Sequence, residues 1–144
     1  MSRLQVAYMQ FCGLLTAATG IAFAWMKYGM KSDDPFAVVN HPWQPFMLAA
    51  HVVVAPLLLF GFGWILNDHI VAKFLNPAAP KRKSGTWSMA AITPMVLSGY
   101  LLQVSTADAT RHAMAIAHWI SSGVFVLAYV VHIILTPRWP ANGQ

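Results

Sequence analysis

Residues 113–135 contain no Lys, Arg, Asp or Glu; the stretch 111–139 reads RHAMAIAHWISSGVFVLAYVVHIILTPRW. A run of this kind matches the roughly 20 apolar residues a helix needs to cross about 30 Å of hydrocarbon. Three more spans have the same character, at about 5–28, 44–66 and 86–104. They are continuous and too long for barrel strands, and in lipid each segment must satisfy its own backbone groups, so helices are expected. Of the 144 residues only 9% are charged, against about 25% in a soluble domain. The expected fold class is therefore all-α integral membrane protein: one four-transmembrane-helix bundle over residues 1–144, without a repeat legible in the sequence.

The N-terminal MSRLQVAYMQFCGLLTAATGIAFAW has the basic start and Ala22-Phe23-Ala24 ending of a signal peptide. Its apolar run continues past that point, so it is read as the first helix. Loop charges set the orientation. With the N-terminus inside, Arg3, Lys73, Lys81, Arg82, Lys83 and Arg138 are cytoplasmic, and Lys27, Lys31 and Arg111 are outside. Six against three places both termini in the cytoplasm, with KSDDPFAVVNHPWQP outward and NPAAPKRKSG inward. The net charge of +5 thus reflects topology and not a nucleic-acid partner. Six tryptophans, at 25, 43, 64, 87, 119 and 139, lie near span ends as an aromatic belt would.

Against this apolar background the histidines stand out. His118 and His132 are fourteen residues apart, which leaves them about 40° apart around an α-helix and about 21 Å along it. His51 and His69 are eighteen apart, five whole turns and about 27 Å. Spans two and four are separated by one helix and run parallel, so His51 and His118 fall at one depth near the outer side, while His69 and His132 fall near the inner end. The span-two pair is wider by about 6 Å of rise; either a kink at Pro56 and helix tilt absorb it, or His69 lies at the interface and is not a ligand.

Two neutral imidazoles facing each other without carboxylate or thiolate suit a six-coordinate haem iron, and four-helix bundles hold porphyrins between helices. Cys12 is the only cysteine, which excludes an intrachain disulfide, a zinc-type cysteine cluster and the Cys-x-x-Cys-His of a covalent haem. Zinc would need a third protein ligand that these spans do not offer. Gly13, Gly20, Gly61, Gly63, Gly99 and Gly123 would let a flat ring approach the backbone, or simply pack helices. His41, in NHPWQP, is a reserve ligand, a propionate partner or a loop residue. Arg111, beside interfacial His112, is placed to neutralise a haem propionate. Asn67 and Asp68 adjoin His69 and are interfacial residues or proton acceptors beside a quinone.

With these residues the chain resembles the four-helix, di-haem cytochrome b subunits of respiratory formate dehydrogenases and nickel–iron hydrogenases. In that family the last haem-bearing helix carries two histidines at the spacing of His118 and His132, and a second-helix histidine, where His51 stands, completes the outer haem. In the formate dehydrogenase subunits the remaining ligand comes from the first helix; span one here has no histidine, so His69 takes that role. The stretches DPFAVVNHPWQP and SGTWSMAAITPMVLSGYLLQV, with the fourth span, are also similar to small bacterial di-haem-cytochrome-like membrane proteins.

The resemblance implies a multi-pass protein of the bacterial inner membrane. It would bind two non-covalent haem b groups through His51, His118, His69 and His132. Electrons would pass between a periplasmic c-type cytochrome or dehydrogenase subunit and a quinone or other inner-side acceptor, within a hetero-oligomeric complex. With no catalytic domain of its own, it would be an electron-transfer subunit. The rival expectation is a haem-free scaffold whose histidines only hydrogen-bond between helices. A transporter is disfavoured, because the four spans carry no Asp or Glu.

Overall fold

In a computed structural model that describes residues 1–76 and 82–134, the described residues form five α-helices and two π-helical segments, with no strand among them. Lys81, Leu135, Arg138 and Trp139, which enter the expectations above, lie outside the described residues, as does the side chain of Arg82. Four helices, Arg3–Gly29, Gln44–Leu75, Lys83–Val104 and Asp108–Ile134, are long and apolar enough to cross a membrane. At most 22% of the most apolar stretch of each is buried. Leu14, Val53, Phe60, Ile120 and Leu127 leave most of their side chains uncovered. In water such faces would drive association; acyl chains cover them without cost.

The chain forms two compact units, Met1–Ala72 and Lys73–Gln144. In the first, α1 (Arg3–Ala24) begins in a reciprocal cap. The Gln5 N–H donates to Ser2 Oγ at 3.2 Å and the Ser2 N–H donates to Gln5 Oε1 at 2.7 Å, so two N–H groups that the helix cannot pair are satisfied. The helix runs on through a π segment, Trp25–Gly29, and stops where Met30 turns extended. Asn40 Nδ2 donates to the Lys27 carbonyl at 2.7 Å, which closes the neck of the connecting loop. Helix α2 (Gln44–Ile65) starts with Pro45 in its first turn, where a missing N–H costs nothing.

Helices α1 and α2 form an antiparallel hairpin. Tyr8 Oη donates to the Leu57 carbonyl at 2.9 Å, and the Tyr8 ring meets Phe60 and Trp64 edge-on. Gly61 makes this closeness possible, since a methyl there would lie 2.6 Å from Met9 Sδ and 2.9 Å from the Tyr8 ring. Beyond Ile65 the helix widens into a π segment, Leu66–Val71, and closes with the short α3 (Ala72–Leu75). The helix placed at 44–66 by its apolar residues thus continues past them.

The second unit is another antiparallel hairpin, α4 (Arg82–Val104) and α5 (Asp108–Ile134), joined by residues 105–107. Arg111 makes the turn: its Nη1 donates to the carbonyls of Leu102 at 3.3 Å and Ser105 at 3.2 Å. A cation on the last carbonyls of a helix meets the negative end of its dipole. Helix α5 starts five residues before its apolar run because this polar turn, with Asp108 at its start, is helical too.

Candidate functional site

His51 is half-buried in α2 and lies against α1. Its Nδ1 is 3.0 Å from the Thr16 carbonyl and 3.3 Å from Thr19 Oγ1. A carbonyl oxygen only accepts, so a neutral ring carries its proton on Nδ1 and its lone pair on Nε2. The Thr19 hydroxyl donates to the Leu15 carbonyl at 2.8 Å and lies 3.1 Å from the Thr16 carbonyl. Its own proton is thereby committed, and its oxygen faces Nδ1 as a second acceptor. Gly20 supplies the room: a methyl there would be 2.9 Å from Cε1 and 3.1 Å from Nδ1.

The second hairpin repeats this arrangement residue for residue. His118, on α5, has Nδ1 2.9 Å from the Met95 carbonyl and 3.3 Å from Ser98 Oγ. Ser98 donates to the Pro94 carbonyl at 2.6 Å and lies 3.1 Å from the Met95 carbonyl. Gly99 follows, and a methyl there would be 3.2 Å from Cε1 of His118. In both hairpins a carbonyl, a hydroxyl three residues on and a glycine after it hold one imidazole of the next helix.

A third instance lies fourteen residues away on both helices of the second hairpin. His132 Nδ1 is 3.1 Å from Ser84 Oγ, and a methyl on Gly85 would be 3.6 Å from its Cε1. The residue three before Ser84 is Lys81, outside the described residues. The letters alone do not make the arrangement. Ser122-Gly123 has the same dipeptide, yet a methyl at Gly123 would meet nothing within 4 Å.

The other predicted residues sit differently. His69 is half-buried within the π segment of the first hairpin. Bonds from i to i+5 widen the turn, so each residue there rotates by less than in an α-helix. The five-turn count that put His69 on the face of His51 assumes uniform α geometry and does not hold across Leu66–Val71. His41 accepts the Trp43 N–H on Nδ1 at 3.1 Å. That bond puts the proton of its neutral ring on Nε2, the reverse of His51 and His118. Arg111 caps α4, as above, and His112 is exposed. Among the described residues no three His, Cys, Asp or Glu side chains come together as a metal-holding group.

At Gly20, Gly99 and Gly85 the side chain nearest the missing Cβ is an imidazole, while at Gly61 it is Tyr8 and Met9. Thr16, Thr19, Met95, Ser98 and Ser84 were not among the expected site residues. Their signal was present: Ser84 to Ser98 spans fourteen residues, the spacing of His118 and His132.

Chemically, an imidazole whose Nδ1–H is given to a carbonyl is fixed in rotation and tautomer. It presents Nε2 as a base, the state in which histidine binds a metal. This donor set fits a haem iron held by neutral imidazoles, and it equally fits a ring that only ties two helices together. Comparison of the chain with family models, with curated proteins and with solved structures finds no match.

Proposed function

We propose that the chain is a multi-pass b-type cytochrome of a bacterial inner membrane, with both termini cytoplasmic and two non-covalent haem b groups. One observation carries the reading: on helices apolar enough to cross a membrane, His51 and His118 give their Nδ1–H to a carbonyl of the neighbouring helix. A polar ring at such depth is expensive, and a second partner that fixes its tautomer is what metal-binding histidines have. His132 on Ser84 extends the pattern. When bound, the haem supplies an iron that takes up and releases one electron at a time.

The chain's own residues do the rest. His51 and His118 are assigned to the outer haem, and His69 and His132 to the inner one, a pairing that rests on their depth along the spans. In His51 and His118 the Nδ1–H bond makes the ring a stronger donor through Nε2 and stops it from turning. Two histidines for each iron leave no open position, so the role is electron transfer without oxygen chemistry. Electrons pass between a periplasmic c-type cytochrome or dehydrogenase subunit and a quinone or another inner-side partner near Asn67 and Asp68, within a larger complex.

The same hydrogen bonds favour a second reading, a haem-free scaffold, since each ring joins the two helices of its hairpin. Haem quantified per chain, for purified wild type and His69→Ala, separates them. The cytochrome reading expects two haems falling to one. Two in both proteins would move the fourth ligand elsewhere. None in a folded wild type would leave the scaffold.

A further inference from the structure

The arrangement around His51 recurs at His118 and in part at His132, with its members in one order and at one spacing. In each case a hydroxyl residue is followed at once by glycine, on the helix that precedes the histidine's own. The spacing has a physical reason. Residues three and four apart share a helix face, so a carbonyl at one position, a hydroxyl three later and a bare Cα four later form a single patch. The ring edge carrying Nδ1 and Cε1 lies on that patch. Nδ1 reaches the carbonyl, 3.0 Å at Thr16 and 2.9 Å at Met95. Cε1 lies over the glycine, where a side chain would displace it.

We infer that Thr19-Gly20 and Ser98-Gly99 are imidazole seats: positioning residues that hold the ring edges of His51 and His118 against the preceding helix with the proton on Nδ1, while Ser84-Gly85 meets His132 more loosely, through the serine hydroxyl. They bind no ligand themselves. They act through the histidines by deciding which nitrogen is offered and in what ring orientation. The use of that nitrogen by haem rests on the reading above, but the seat does not depend on it.

The seats differ in tightness. A methyl would stand 2.9 Å from the ring at Gly20, 3.2 Å at Gly99 and 3.6 Å at Gly85. The first distance is shorter than side chains tolerate, the second requires the ring to yield, and the third is ordinary contact. Alanine should therefore unseat His51, strain His118 and leave His132 in place. Gly63, with nothing within 4 Å, is the control.

The test uses the full chain in detergent, expressed without added haem, with the ring nitrogens observed by 15N NMR. The pH is held well above the ordinary imidazole value of about 6.5, so that the rings are neutral. The expected spectrum has Nδ1–H rings for His51 and His118, and an Nε2–H ring for His41. Gly20→Ala should bring His51 into tautomer exchange, Gly99→Ala should shift His118 less, and Gly85→Ala and Gly63→Ala should change nothing. Helicity by circular dichroism checks the fold. If Gly20→Ala does not fold, the wild-type tautomers and the Gly99→Ala shift decide. Wild-type rings with the proton on Nε2, or shifts that do not follow the order Gly20, Gly99, Gly85, overturn the inference. Haem is then added to wild type. Seated rings that bind none would sink the cytochrome and leave the seats; haem bound by rings in the other tautomer would do the reverse.

Discussion

In the first hairpin one imidazole is held against the preceding helix, and α2 then widens into a π segment before His69 arrives. In the second, α4 and α5 stay α-helical throughout, and two imidazoles follow each other at fourteen residues on matching serines. The chemistry at His51 and His118 is the same down to the tautomer, although the sequences around them are not alike. The comparison teaches that the conserved quantity within the chain is a contact geometry. A uniform helix pair carries that geometry from one site to the next unchanged. A helix that changes its winding does not.

The largest expected effect separates the hairpins at their glycines. Gly20→Ala should destabilise the first hairpin by about 1–3 kcal/mol through overpacking on His51. Gly99→Ala should cost less, and Gly85→Ala should gain up to about 1 kcal/mol from helix propensity. Chemical denaturation in micelles measures all three, and equal costs at Gly20 and Gly85 would erase the distinction between the seats.

A second pair of variants compares neighbours within one seat. Thr19→Val removes a hydroxyl bonded to the Leu15 carbonyl and should cost about 1 kcal/mol. Thr16 Oγ1 is buried with no hydrogen-bond partner, a state that costs about 1–3 kcal/mol, so Thr16→Val should be neutral or stabilising. The same denaturation series reads both signs.

Smaller effects test features that one hairpin has and the other lacks. Tyr8→Phe deletes the bond to the Leu57 carbonyl and should lower the stability of the first hairpin by about 0.5–1.5 kcal/mol. Arg111→Gln removes the cation from the end of α4, for about 0.3–1 kcal/mol in the second. If Asn67 and Asp68 border a quinone, their substitution should slow quinone-linked haem oxidation in stopped-flow traces. Unchanged rates with a quinol analogue would remove the inner site from the account.

The four long helices were legible because apolar composition is local: 113–135 announces itself without knowledge of any neighbour. Their ends were less so. Ser2, Asn40 and Arg111 extend or close helices through polar bonds that hydropathy does not register. The histidine faces were legible only where the helix is uniform. Fourteen α-helical residues do bring His118 and His132 to matching serines, whereas the π segment at Leu66–Val71 breaks the count from His51 to His69. The seats were written in the sequence as three hydroxyl–glycine steps. A fourth, Ser122-Gly123, faces open space, so pairing of helices was needed to tell them apart.

The measurement that tests the account most directly is a reduced-minus-oxidised absorption spectrum with haem counted per chain, for wild type, His51→Ala, His118→Ala and the double variant. The account predicts two b-type haems in wild type and one in each single variant. The double variant should lose no more than the singles if both histidines serve one iron, as proposed. A folded wild type without a haem band, or two single variants that lose different haems, would contradict it.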